Sequence, residues 1–159
     1  MNSENRKVEA IIQLLVGQYV KYVTCDANII DVGFDKITLH ISSFGRIRNK
    51  KQILVTTNDY QSWDEINESN NDEWQNIKKY EYRIIGGRVL DAEYSSCGDL
   101  LIGLDNGIMI ECFLSNGEHK YEDECEEWCL FGKDNSDEKF YLIRYSMDIE
   151  LVFVGKEGN

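Results

Sequence analysis

The chain has 159 residues, with 17 Lys and Arg against 29 Asp and Glu, for a formal net charge of -12. Phosphate backbones and anionic headgroups are bound through cations, so this balance argues against nucleic acid or a membrane surface as partner. It favours a basic partner, whose encounter the field accelerates. Aromatic content of 11% and apolar residues along most of the length exclude wholesale disorder, and the length suffices for one well-formed core.

Taken in chain order, Ser3 to Leu15 carries an amphipathic helical signal, and an N-terminal helix is placed over residues 3–16. Ser3 caps it, Glu4 favours its first turn, and Val8, Ile11, Ile12 and Leu15 share one face. Gly17 ends it in the left-handed position after the last turn. A first β-unit over 17–57 follows, with strands expected at Tyr19–Cys25, Ile29–Phe34, Ile37–Ser42 and Lys50–Thr57. Residues 58–83 read as an acidic connector with one helical turn near Ser62–Asn67 and another from Trp74 to Tyr80. The second β-unit and closing strands occupy 84–155: Arg88–Tyr94, Asp99–Leu104, Ile108–Leu114, Glu126–Phe131, Phe140–Tyr145 and Ile149–Val154. Asp105-Asn106-Gly107 is a hairpin turn, because an Asn-Gly pair tolerates positive φ at both central positions.

The two β-units repeat one pattern. Gly17 aligns with Gly86, Val20 with Val89, Ile30 with Leu100, Gly33 with Gly103, Asp35 with Asp105 and Leu39 with Ile110. Nearly all matched positions are apolar or glycine, so the repeat encodes a shared core rather than a reactive group. The expected fold is α+β: a single domain, mainly antiparallel sheet, built from two repeated β-units with an N-terminal helix.

No catalytic motif stands out, and the protein is read as a non-enzyme. Walker and G-x-G-x-x-G loops are absent, and Gly86-Gly87 precedes a strand instead of opening a helix. His40 and His119 are the only histidines, and His40 alternates with Leu39 and Ile41, which places it on the outer face of a strand. Cys125 and Cys129 have C-x3-C spacing without a second ligand knuckle, so neither a metal nor another cofactor is expected. The five cysteines lack framework spacing and read as reduced thiols. With no signal-peptide core and no stretch long enough to span a membrane, the expected compartment is the cytoplasm.

Two acidic segments lie where the copies differ. In Tyr121 to Trp128, the carboxylates Glu122, Asp123, Glu124, Glu126 and Glu127 crowd together, and a docking cationic surface would relieve their repulsion. The connector supplies Asp64, Glu65, Glu68, Asp72 and Glu73. Tyr60, Trp63 and Tyr121 are the candidate aromatic anchors. The competing reading makes both segments solvated loops whose aromatics, Trp128 and the connector tryptophans, cover the core.

The repeated glycine-punctuated unit, with Glu126, Trp128 and Leu130 in an E-x-W-x-L stretch, resembles small bacterial proteins with a duplicated β-unit and a late YExWxL element. The resemblance covers about Leu15–Phe44 and Ile84–Leu130. This chain departs from the pattern where Tyr121-Glu122 stands apart from Glu126-Glu127-Trp128, and where the first copy lacks the turn glycine. Many such proteins are encoded beside polymorphic toxins as cognate immunity proteins, including those of contact-dependent growth inhibition. The resemblance therefore implies stoichiometric binding of a secreted toxin domain, basic and typically a nuclease, through the acidic segments. The alternative is a small-ligand binding module with a pocket between the two β-units at their pseudo-symmetry axis.

Overall fold

The computed structural model describes residues 3–67, 71–115 and 125–155. The fold is α+β and mainly antiparallel sheet, with an N-terminal helix α1 (Ser3–Gln13). The first unit contributes β1 (Tyr22–Asp26), β2 (Ile29–Gly33), β3 (Ile37–Ile41), β4 (Phe44–Arg48) and β5 (Ile53–Thr56). A second helix, α2 (Asp72–Ile84), precedes β6 (Val89–Tyr94), β7 (Leu100–Leu104) and β8 (Met109–Phe113). The chain closes with β9 (Glu126–Lys133), β10 (Lys139–Tyr145) and β11 (Ile149–Val154).

The two units exchange strands. One sheet runs β1-β2-β3-β9-β10-β11 and the other β5-β4-β8-β7-β6. Thus the first unit's β3 is extended by the second unit's β9, and the second unit's β8 by the first unit's β4. Read in matching order, β1-β2-β3-β9-β10 is reproduced by β6-β7-β8-β4-β5, which gives the duplication a pseudo-twofold axis.

At the junction, residues 17–20 run antiparallel to 86–89. Gly17 N–H donates to Val89 O at 2.9 Å, and Gly86 N–H donates to Val20 O at 2.8 Å. Val20 N–H donates to Gly87 O and Val89 N–H to Gln18 O, both at 2.9 Å. Gly17 and Gly86 have φ of +89° and +87°, a left-handed turn that a Cβ would strain. The repeated aspartates complete the symmetry. Asp35 accepts the Tyr19 N–H at 2.7 Å, and Asp105 accepts the Arg88 N–H at 2.9 Å. The aspartate matched between copies is therefore a backbone cap.

One core is common to both units. Leu15, Ile30, Leu39, Ile41 and Ile47 of the first half and Leu100, Ile110, Trp128, Leu130 and Phe140 of the second are all fully buried within it. Each such side chain contributes about 1.5–3 kcal/mol of transfer free energy.

Three local expectations are corrected. The connector's second turn is the 13-residue helix α2, started by Asn71, whose side chain accepts the Trp74 N–H. Lys78 lies 3.5 Å above the Trp74 ring one turn later, and Ile77 and Ile84 face the core. Ile77 and Ile84 stand in α2 where Val8 and Leu15 stand in the first copy, so the repeat includes the helix. Strand β4 carries no run of apolar residues, since only Gly45 and Ile47 turn inward. Its outward Arg46 and Arg48 both hold Glu111 of β8, across the sheet from Arg46. Burial opposes ionisation of Glu111, but the Arg48 and Arg46 hydrogen bonds outweigh it and hold the carboxyl below its usual range. The β7–β8 hairpin forms at the expected place, yet Gly107 alone in it has positive φ, +81°. Asn106 acts through its side chain instead, donating to Arg83 O at 2.8 Å and accepting from Ile108 N–H at 3.2 Å.

Strand exchange generates a prediction. A chain cut in the connector leaves Leu39 and Ile41 of β3 without β9, and Ile47 of β4 without β8. Separate fragments 1–67 and 71–159 should each lack a folded far-UV circular dichroism spectrum and regain sheet signal on mixing. A folded amide spectrum from fragment 1–67 alone would contradict this.

Candidate partner-binding surface

The connector is held by a series of local bonds. Thr56 begins a 3-10 turn, Thr57–Ser62, through a capping box: its hydroxyl accepts the Asn58 N–H, and Asp59 accepts the Thr56 N–H at 3.0 Å. The Asn76 side-chain amide of α2 donates to the same Asp59 oxygen at 2.9 Å, which ties the turn to the helix. Tyr60 and Trp63 meet edge to face with centroids 5.7 Å apart, and both rings are half-buried.

Beyond Trp63 the chain makes a tight tip. Asp64 Oδ1 accepts the backbone N–H groups of Ile66 and Asn67 at 3.0 and 2.9 Å. The Trp63 indole N–H donates to Asn67 O at 2.9 Å, closing the same turn from the other side. These bonds hold Glu65 in the left-handed region, φ +61°, an unfavourable conformation for a residue with a Cβ. The result presents Ile66, 89% exposed, between Glu65 and the Asp64 turn. Ile66 was not among the expected site residues. An isolated isoleucine in a polar run was the signal available for it.

The expected residues separate into three groups. Asp64, Glu65, Asp72 and Glu126 are exposed, with Tyr60 and Trp63 half-buried beside the tip. Glu68, Tyr121, Glu122, Asp123 and Glu124 lie outside the described residues. Glu73 and Glu127 are buried and cannot meet a partner, at 1% and 2% exposure.

Glu127 is turned inward by a β-bulge. Arg144 of β10 pairs with Trp128 and Tyr145 pairs with Glu126, which leaves Glu127 as the extra residue. Its carboxylate accepts the Ser115 N–H at 3.1 Å, the Ser115 hydroxyl at 2.9 Å and the Ser146 hydroxyl at 3.0 Å. Its carbonyl accepts the Ser42 and Ser43 N–H groups at 3.1 and 2.8 Å. Trp128 is fully buried beside it and belongs to the core, not to a docking surface.

Glu73 occupies the core-facing stripe of α2 with Ile77 and Ile84. Burial pushes its carboxyl up to about 7, and the charges of Asp59 and Asp26 add to the effect. Hydrogen bonds with the Cys25 thiol and the Asn28 N–H oppose the rise. Oε2 has no hydrogen-bond partner. Burial, then the adjacent Glu73, push the Cys25 thiol up to about 12, so it stays protonated and is a poor nucleophile. Among the described residues, no three His, Cys, Asp or Glu side chains are arranged to hold a metal ion, and no helix is long and apolar enough to cross a membrane.

Both buried carboxylates give measurable consequences. Folding raises the proton affinity of Glu73, so its contribution is undiminished below pH 4.5 and is lost as pH rises to about 7. Relative to Glu73→Gln, the wild type should lose on the order of 2 kcal/mol across that window, read from urea unfolding at several pH values. A pH-independent difference would refute this assignment. Glu127→Ala should cost about 3 kcal/mol, because it strands the Ser115 N–H and two hydroxyls, whereas Glu126→Ala should stay within about 0.5 kcal/mol. Comparison with protein-family models, curated proteins and solved structures finds no match to this chain.

Proposed function

We propose that this protein is a binding module that neutralises a basic protein partner, and that its docking surface is the connector tip rather than a pocket with reactive groups. The observation that carries the reading is Ile66, an apolar side chain 89% exposed, on a turn fixed by Asp64 and Trp63. A fixed turn lowers the ordering cost of association, and an apolar residue directly preceded by two carboxylates combines residence time with electrostatic steering. Asp64, Glu65 and Asp72 supply the steering, with Tyr60 and Trp63 supporting the tip from below.

The resemblance to immunity proteins suggests the partner: a secreted toxin domain with a basic, phosphate-binding groove, of nuclease type, met in the cytoplasm of the producing cell. Inhibition of this kind is stoichiometric and requires no catalytic residue or cofactor. The second acidic segment, Tyr121 to Glu124 with Glu126, remains a candidate contact, from which Glu127 is withdrawn. The small-ligand alternative places its pocket between the two β-units, where the backbone of 17–20 is paired with 86–89. A small-ligand reading is supported away from that junction by a cleft beside Arg144.

The test pairs the protein with the toxic C-terminal domain encoded beside its own gene. Wild-type protein should bind that domain and protect cells producing it, with an association rate that falls as salt increases. Charge reversal of Glu65 and Asp72 together, which leaves the Asp64 turn intact, should weaken binding about tenfold or more, mainly through the association rate. Ile66→Asp should weaken it by a similar factor through dissociation. Failure to bind would remove the inhibitor reading; full binding by both variants would remove the tip as its surface.

A further inference from the structure

A cleft of about 460 Å³ opens between the turn joining β6 to β7 and the turn joining β10 to β11. Phe113, Leu114 and Met147 form an apolar side, and Arg144 with Ser146 a polar one; Cys97 and Asp99 also line it. The volume lies in the range of small-molecule sites, about 300–1,000 Å³.

Arg144 sets the chemistry. None of the ion pairs among the described residues includes its guanidinium. One terminal nitrogen donates to the Tyr94 hydroxyl at 3.3 Å and the other to the Ser146 carbonyl at 3.4 Å, both neutral acceptors. Nε is buried with no acceptor at all. A buried donor without an acceptor is costly, and a cation without a counter-charge is unusual in a protein of net charge -12.

Among the described residues beside the cleft, three carboxylates are engaged by other donors, Asp148 by the Ile149 N–H at 2.8 Å. Glu127 holds Ser115 and Ser146, while Asp99 accepts the Leu114 N–H at 2.9 Å and the Cys97 thiol at 3.3 Å.

The guanidinium is also held in position. A Cβ on Gly98 would fall 2.8 Å from its Cζ, Nε and Nη2 atoms, so the group lies flat against a residue with no side chain. Gly98 has φ +101°, and its carbonyl is fixed by the buried Trp128 indole N–H at 3.2 Å. Tyr94, which orients the guanidinium from one side, packs edge to face on Trp128 with centroids 6.1 Å apart. Position, rigidity and missing charge are the properties of a preorganised anion receptor.

We propose that this cleft binds a small monocarboxylate, with its carboxylate on Arg144 and its apolar body against Phe113 and Leu114. The planar guanidinium matches a carboxylate and supplies donors beyond the two already used. Asp99 on the same wall repels a second negative charge, which selects monoanions. The site is independent of the connector tip and does not depend on the inhibitor reading.

Cys97 gives the readout, because its thiol is exposed on the cleft wall. The probes are 3-phenylpropionate and its uncharged amide, and alkylation of each cysteine is followed by peptide mass spectrometry. Millimolar 3-phenylpropionate should slow alkylation of Cys97 several-fold and leave Cys125 unaffected, and the amide should have no effect. Arg144→Gln should abolish the protection. Met147→Glu, at an exposed turn position, should abolish it too by supplying an internal carboxylate while keeping the fold, as checked by circular dichroism. No protection by the acid, equal protection by the amide, or protection that survives in folded Met147→Glu would each overturn the proposal.

Discussion

The reciprocal backbone pairing of residues 17–20 with 86–89 is the constraint on which the rest of this fold depends. Two left-handed glycines end two helices and turn the chain so that each segment can serve as the other's partner. Asp35 and Asp105 then cap the two amide groups this pairing leaves outward, at Tyr19 and Arg88. Once the segments are crossed in this way, each half can complete the other's sheet. Each half's three-strand meander is extended by strands of the other, so cohesion comes from long-range pairing rather than from two independent lobes.

That architecture explains where charge is tolerated inside an acidic protein. Glu111 is acceptable because two arginines reach it from β4, and Glu127 because a bulge aims it at three donors. Glu73 is different. It lies under the first turn of α2 with one oxygen unsatisfied and two further carboxylates nearby, so its proton is retained toward neutral pH. Arg144 is the complementary case, a positioned cation whose counter-charge is absent from the described residues. Among the described residues, Glu73 and Arg144 are the two ionisable side chains with a buried polar atom short of a partner, one in the first turn of α2 and the other near the end of β10.

The connector works by another principle. Between residues 58 and 67 it contributes little to the core, and its order there comes from local side-chain-to-backbone bonds: the Thr56 and Asp59 capping box, the Asp64 turn and the Trp63 bond to Asn67. Such a loop can present Ile66 and its neighbouring carboxylates without disturbing the exchanged sheets. A stiff platform and a locally determined tip are the arrangement the proposed inhibitor requires.

The strand pattern, the repeat and the two acidic segments were legible in the sequence because they rest on short-range periodicity and composition. The apolar alternation of Ile37 to Ile41 and the shared glycines at 17 and 86 need no tertiary information. Strand β4 was not legible, since its outward arginines make sense only against Glu111 on a strand 65 residues away. Helix α2 was hidden by polar residues whose stability comes from the Asn71 cap and the Trp74–Lys78 contact as well as from apolar burial. By itself, then, the sequence determined an acidic, mainly antiparallel scaffold with a duplicated core. Only the tertiary structure decided which carboxylates face solvent. A bulge turned Glu127 inward, the helical stripe buried Glu73, and the Asp64 turn left Ile66 outside, because the direction of a side chain is set by register and packing, which composition does not contain.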